Sequence, residues 1–262
     1  MPLPHPRTLL ASAAATALLA ACATSPLGRS QFKLYPDSDL DAMGATAFAQ
    51  TAKDTPVSSD GRQTAYVNCI ANAITREVGG TWEVKVFASK DVNAFALPGG
   101  KIGVYTGLLD VARSQDQLAA VIGHEVAHVI AGHSNERVSQ QQVAGIGLSV
   151  AQVIVGGGPA GGAMMSALGA GAQYGVLLPF SRTHESEADL LGLDYMAKAG
   201  FDPRAAVQLW RNMSQAGGQK PPEFASSHPS DTTRIRQIEG RLPISLPLYD
   251  AAQAAGKRPK CG

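Results

Sequence analysis

His124 and His128 stand four residues apart, with Glu125 directly after the first, in the run GHEVAHVIAGHSNER (residues 123–137) that holds three of the chain's six histidines. An α-helix turns about 100° per residue, so residues four apart lie roughly 40° from each other on one face. Both imidazoles can then reach a single metal ion, with the Glu125 carboxylate on the neighbouring flank. This is the H-E-x-x-H arrangement, and it demands a rigid helix plus a third ligand from elsewhere in the chain. His133, nine residues past His124, falls on the far side of the same helical wheel and is read as a non-ligand.

A metzincin would need Gly at 131 and His at 134, where the chain has Ala131 and Ser134. The third ligand is therefore sought downstream, in SRTHESEADLLG (residues 181–192). Glu185 and Asp189 are four apart and share a helix face. Gly192 extends that face and leaves room for another element to approach. Glu187 lies about 200° round from Glu185, and so reads as a solvated surface acid. The pattern is a glutamate-type zinc site of His124, His128 and Glu185, with the fourth position open for water. Asp189 then accepts an N–H from a ligand histidine.

Charged residues make up 16% of the chain and net charge is +1, which leaves no electrostatic footprint for nucleic acid. The N-terminus carries Arg7, an apolar run from Thr8 to Leu19, and then LAAC ending at Cys22. Residues 1–21 look like a bacterial lipoprotein signal, with lipid attached to Cys22 and residues 22–36 serving as a tether. Ala23 follows the cysteine where an inner-membrane retention signal has Asp, so the outer membrane, facing the periplasm, is the expected address. Cys69 and Cys261 remain, and an oxidising compartment favours a disulfide between them.

The rest of the chain is expected to fold as one domain over 37–242, with a tail at 243–262. Helical periodicity covers Asp37 to Lys53 and Arg62 to Val78. TWEVKVFAS alternates as a strand, and NAFALPGGKIGVYTG continues as two short strands around Pro98-Gly99-Gly100. Ser114 with Gln117 forms a capping-box pattern, so the metal helix starts near Gln115 and ends near Gly132. Further helices are expected from Ser181 to Lys198 and from Pro203 to Ala216. Residues 143–178 carry no charge; arms split by GGGPAGG are too short and glycine-rich for a span of about 20 residues, so a buried or membrane-touching helical pair is expected. The fold class is α+β, mainly helical, with a small antiparallel sheet.

H-E-x-x-H, S-R-x-x-E-x-x-A-D and a later H-P pair together resemble the family-48 metallopeptidases, over roughly residues 37–242. The resemblance implies a zincin-like (gluzincin) domain holding one zinc ion, in a short, lipid-anchored periplasmic member. It implies Glu125 as general base, with His228 and Arg234 of SSHPSDTTR near the developing oxyanion. His228 can also sit on the zinc as a fourth ligand, and the sequence leaves both places open. The edge strand Asn93, Ala94, Phe95, Ala96 is expected to line the cleft and pair with extended substrate. The expected substrates are unfolded or misassembled envelope proteins, with the outer-membrane assembly machinery as a further partner. A chaperone-like assembly factor with a latent protease site is the alternative; an intact Glu125 argues against a purely structural zinc.

Overall fold

A computed structural model describes residues 22–143, 181–216, 228 and 232–262. Strands β1 (Cys22–Thr24) and β2 (Ser30–Phe32) open it as an antiparallel hairpin, with Ala23 opposite Gln31. Helices α1 (Asp37–Asp54) and α2 (Gly61–Val78) follow. Asp60 starts α2 by accepting from the amides of Arg62 and Gln63. Along α2, Val67, Ile70, Ala71 and Ile74 recur at helical spacing and are buried, which turns that stripe into the core.

Strands β3 (Glu83–Phe87), β4 (Ala94–Leu97) and β5 (Lys101–Tyr105) lead into a short turn of helix, α3 (Thr106–Leu109). Ser114 caps α4 (Gln115–Ile130), accepting from the Gln117 amide. The Gln117 side chain reaches back to the Arg113 amide, one residue before the position a capping box uses. Residues 133–143 form the next helix, α5. Then come α6 (Arg182–Lys198), capped by Ser181, α7 (Ala205–Ala216) and α8 (Thr232–Ala254). The described residues make a mainly helical α+β fold, and none of their helices is long and apolar enough to cross a membrane.

Helix α4 is apolar or small nearly all round, in LAAVIG and then VA, and such a helix must be enclosed. Every residue from Gln117 to His128 is buried. Leu118, Val121, Ile122 and Val126 join Ile70 and Ile74 of α2, Val104 of β5, Met196 of α6 and Trp210 of α7 in one core. Each such large side chain contributes about 1.5–3 kcal/mol on burial. Helices α4 and α6 approach each other closely. A Cβ at Gly123 would stand 2.7 Å from the Gly192 carbonyl oxygen, and one at Gly192 would stand 2.7 Å from the His124 nitrogen. The room expected at Gly192 is filled by the metal helix itself.

Three expectations need revision. The sheet is mixed rather than antiparallel: its order is β3-β5-β4, with β5 parallel to β3 and antiparallel to β4. Alternation reveals a strand, but the connection decides its direction. The segment read as a tether is the docked β1–β2 hairpin. The tail expected after Leu242 is the second half of α8, which runs through Pro243 and Pro247. A proline inside a helix costs about 3 kcal/mol; here α8 is tied to α6 on both sides of Pro243, by Arg241 and Ser245 on the Asp194 carboxylate. The helical pair expected over 143–178 lies, from residue 144 on, outside the described residues.

A disulfide joins Cys69 on α2 to Cys261, across 192 residues. Lys257 on Glu77, Gln115 on the Pro259 carbonyl, and the Cys261 amide on Gln115 hold the same segment. Cys69→Ser should therefore lower unfolding free energy by about 2–5 kcal/mol. Denaturant unfolding without reductant measures this, and equal midpoints for variant and parent would show the bridge to be idle.

Candidate metal centre

Four ligand atoms converge from three places in the chain. Helix α4 presents the Nε2 atoms of His124 and His128, 3.1 Å apart. Helix α6 presents Glu185, whose Oε1 is 3.4 Å from His128 Nε2 and whose Oε2 is 3.5 Å from His124 Nε2. His228 brings Nδ1 to 3.1 Å from His124 Nε2 and 3.0 Å from Glu185 Oε1. All four atoms lie within 4.8 Å of one another, and all four residues are buried. Ligands about 2.0–2.1 Å from a tetrahedral zinc are separated by about 3.3–3.4 Å along each edge. The observed separations fit that figure. Three imidazoles and a carboxylate shut away from water are also costly unless a cation holds them together.

Around the ligands stands a shell of charged partners. His124 Nδ1 meets Asp189 Oδ1 at 3.0 Å, the contact expected for Asp189. Arg234 grips Asp189 with Nε and Nη2, both at 2.7 Å, and Glu185 Oε2 with Nη1 at 2.8 Å. Its guanidinium lies 4.0 Å from the centre of the Trp210 ring. Burial would push the Asp189 carboxyl up, but Arg234 and His124 together outweigh it and hold the group below the usual range. Arg234, expected beside the oxyanion, thus braces the carboxylates behind the ligands.

Glu125 is buried beside the ligand set. Its Oε2 accepts from the Ala96 amide at 3.1 Å, and its Oε1 is 3.4 Å from His228 Nε2. Burial pushes its carboxyl up from the usual carboxylate range. Strand β4 is one of the two outer strands of its sheet, and its Ala96 amide turns away from β5 toward Glu125. Ala94 and Ala96 are buried. The Phe95 side chain goes to the other face, covering Gly103 and stacking among Phe48, Phe87 and Tyr105. Asn93 accepts from the Tyr105 amide through its backbone oxygen, and among the described residues its buried Oδ1 has no hydrogen-bond partner.

Two sequence readings fail here. His133 is not on the far side of α4, because Gly132, with φ 65°, ends that helix and redirects the chain. His133 begins α5, fully buried, and its Nδ1 lies 2.9 Å from His128 Nδ1. A helical wheel holds only as far as Ile130, where the helix ends. Glu187 is not solvated either: it is 5% exposed, bonded by His133 Nε2 at 3.2 Å, by Arg29 Nε at 3.0 Å, and by the Ser25 hydroxyl. Burial would raise its carboxyl, but these donors together bring it down to about 2. The far side of α6 faces the β1–β2 hairpin, which no helical phase could reveal. Beside them, Glu136 takes both Nη atoms of Arg29 at 2.7 Å, and His184 stacks on His133 with centroids 4.5 Å apart.

Residues 59–242 match the model of peptidase family M48. The chain is 43% identical to the mitochondrial metalloendopeptidase OMA1 of Schizosaccharomyces pombe over 62% of this chain and 47% of that protein. It is 29% identical to the metalloprotease LoiP of Escherichia coli, over 82% of this chain and 86% of that one. The beta-barrel assembly-enhancing protease of Yersinia pestis is 27% identical over 76% of this chain and 43% of its own length. The chain spans about half the length of most of the curated relatives it matches.

Proposed function

The chain belongs to peptidase family M48, and on that premise we propose that it is a zinc-dependent endopeptidase that cuts unfolded or misassembled envelope proteins, with His124, His128 and Glu185 as its standing metal ligands. The observation that carries this reading is the placement of Glu125, buried between the ligand set and an outer strand of the sheet. A structural ion has no use for a base at that position. Held by His124, His128 and Glu185, a zinc ion would supply Lewis acidity at the scissile carbonyl and would lower the pKa of a water beside it. Glu125 takes the water's proton and delivers it to the leaving amine. The Ala96 amide holds one carboxylate oxygen, so the base keeps a single orientation. An extended client laid along β4 meets main-chain groups, a mode that reads backbone more than side chains and favours unfolded chains.

The address belongs to the same proposal. Lipid at Cys22 would hold the enzyme on the outer membrane, facing the periplasm, where the relative named for beta-barrel assembly supports an envelope role. A latent form is favoured by one observation, the seat of His228 Nδ1 on the fourth corner of the ligand set. In that seat His228 takes the place that water needs, and cleavage waits until the residue withdraws.

Casein digestion tests both readings, with zinc measured in each sample. Slow cleavage by the parent protein should vanish on zinc stripping and return with added zinc. His228→Ala should retain zinc through the three remaining ligands and cut several-fold faster. A loss of about 100-fold would instead make His228 an oxyanion donor, and no zinc-dependent cleavage by either protein would sink the endopeptidase reading.

A further inference from the structure

Hydrogen-bond directions around His128 can be followed outward without a gap. His128 faces the ligand set with Nε2, so when that nitrogen holds a metal the ring's one proton is on Nδ1. His128 Nδ1 then donates to His133 Nδ1, 2.9 Å away. His133 must accept there, so its own proton sits on Nε2 and is donated to Glu187 Oε2 at 3.2 Å. Glu187 also accepts from Arg29 and from the Ser25 hydroxyl. Ser25 and Arg29 are the two ends of the β1–β2 turn, closed by the Ser25 amide on the Arg29 carbonyl at 2.8 Å. Gln31 of β2 donates to the Ala131 carbonyl at 2.7 Å, at the end of the metal helix.

A ligand histidine ordinarily hands its second N–H straight to a carboxylate, carbonyl or water. His124 does so, with Asp189. His128 does it through a second histidine, and the carboxylate at the end of that relay is held by a hairpin 158 residues away in sequence.

We propose that the β1–β2 hairpin is a working part of the metal centre: Arg29 and Ser25 fix Glu187, Glu187 fixes His133, and His133 fixes the tautomer and orientation of the ligand His128. Arg29, Ser25, Glu187 and His133 are positioning residues. Hairpin docking and zinc binding are consequently linked, and by reciprocity each strengthens the other. Ser25 is three residues from Cys22, so the metal centre's support and the proposed lipid tether are one element. What happens to the hairpin at the membrane is felt at the zinc.

The inference rests on the metal reading above, and its test separates the two. Zinc affinity is measured on the full chain by chelator competition, for the parent and for Arg29→Ala, Glu187→Ala, His133→Ala and Glu136→Gln. The first three should weaken zinc binding by about 10–100-fold. Glu136→Gln, which keeps an oxygen for Arg29 and removes no link of the relay, should stay within roughly threefold of the parent. Arg29→Lys should recover part of the loss. Cobalt-loaded samples add a readout at full occupancy: the visible bands should move in the three relay variants and stay in place in Glu136→Gln. Amide exchange gives the reciprocal view. Zinc should slow exchange across residues 23–32 in the parent and do much less in His133→Ala, or in His133→Gln if the alanine variant does not fold. Folded Arg29→Ala and Glu187→Ala with unchanged zinc affinity and unchanged cobalt bands would overturn the proposal, as would hairpin exchange indifferent to zinc. A parent chain that takes up no zinc would overturn this inference and the metal reading together.

Discussion

Glu125→Gln leaves zinc content and fold intact and cuts casein hydrolysis by about 10²–10⁴-fold, the usual contribution of a positioned general base. The amide has the shape of the carboxylate, and its oxygen can still accept from the Ala96 amide. What it lacks is a basic oxygen to take the water's proton. Burial already disfavours the charged form of Glu125, so its neutral replacement should not lower thermal stability. The result divides the candidate functions cleanly. Zinc-loaded Glu125→Gln protein that still digests casein at the parental rate would remove Glu125 from the mechanism and leave the centre without a base.

Gly192→Ala should strip the centre of its metal without touching a single ligand. In a helix interior, alanine is ordinarily better than glycine by about 1 kcal/mol. Here the added carbon would stand 2.7 Å from the His124 nitrogen and 2.8 Å from the Gly123 carbonyl carbon, both backbone atoms with no rotamer to escape into. Helices α4 and α6 must part, and α6 carries Glu185 two turns away and Asp189 one turn away. Ligand separations of 3.0–3.5 Å have no slack for such a shift. The expected outcome is a destabilisation of about 1–3 kcal/mol and zinc content far below one per chain. Gly240 on α8 is the control, because a carbon added there meets nothing within 4 Å. Gly240→Ala should keep its zinc and gain about 0.4–1 kcal/mol. A Gly192→Ala protein with full zinc and parental stability would show that the helices can separate at no cost to the centre.

Much of what is decided within a turn or two of backbone was legible in the amino-acid order. His124 and His128 at i and i+4, Ser114 as a cap, the strand alternation and the stop near Gly132 are local, since a helix or strand repeats its own geometry regardless of what packs on it. Glu185 and Asp189 could be paired for the same reason, and Cys69 with Cys261 because few cysteines remained to choose from. Sidedness was another matter. Glu187 looked solvated because a helical wheel says which residues face away from Glu185, not what waits on that side; only the packed hairpin, brought from residues 22–32, makes that side an interior. His133 was misplaced because the wheel is valid only while the helix lasts, and its true partner, the second nitrogen of His128, lies across a chain reversal. Arg234 has its six-residue spacing from His228 written in the sequence, yet its grip on Asp189 and Glu185 depends on how α8 lies against α6. The amino-acid order determined which groups could bind a metal and move a proton. The tertiary structure decided which charges would be buried together, because the cost of burying a charge is set by its neighbours in space and those are chosen by packing over a hundred or more residues.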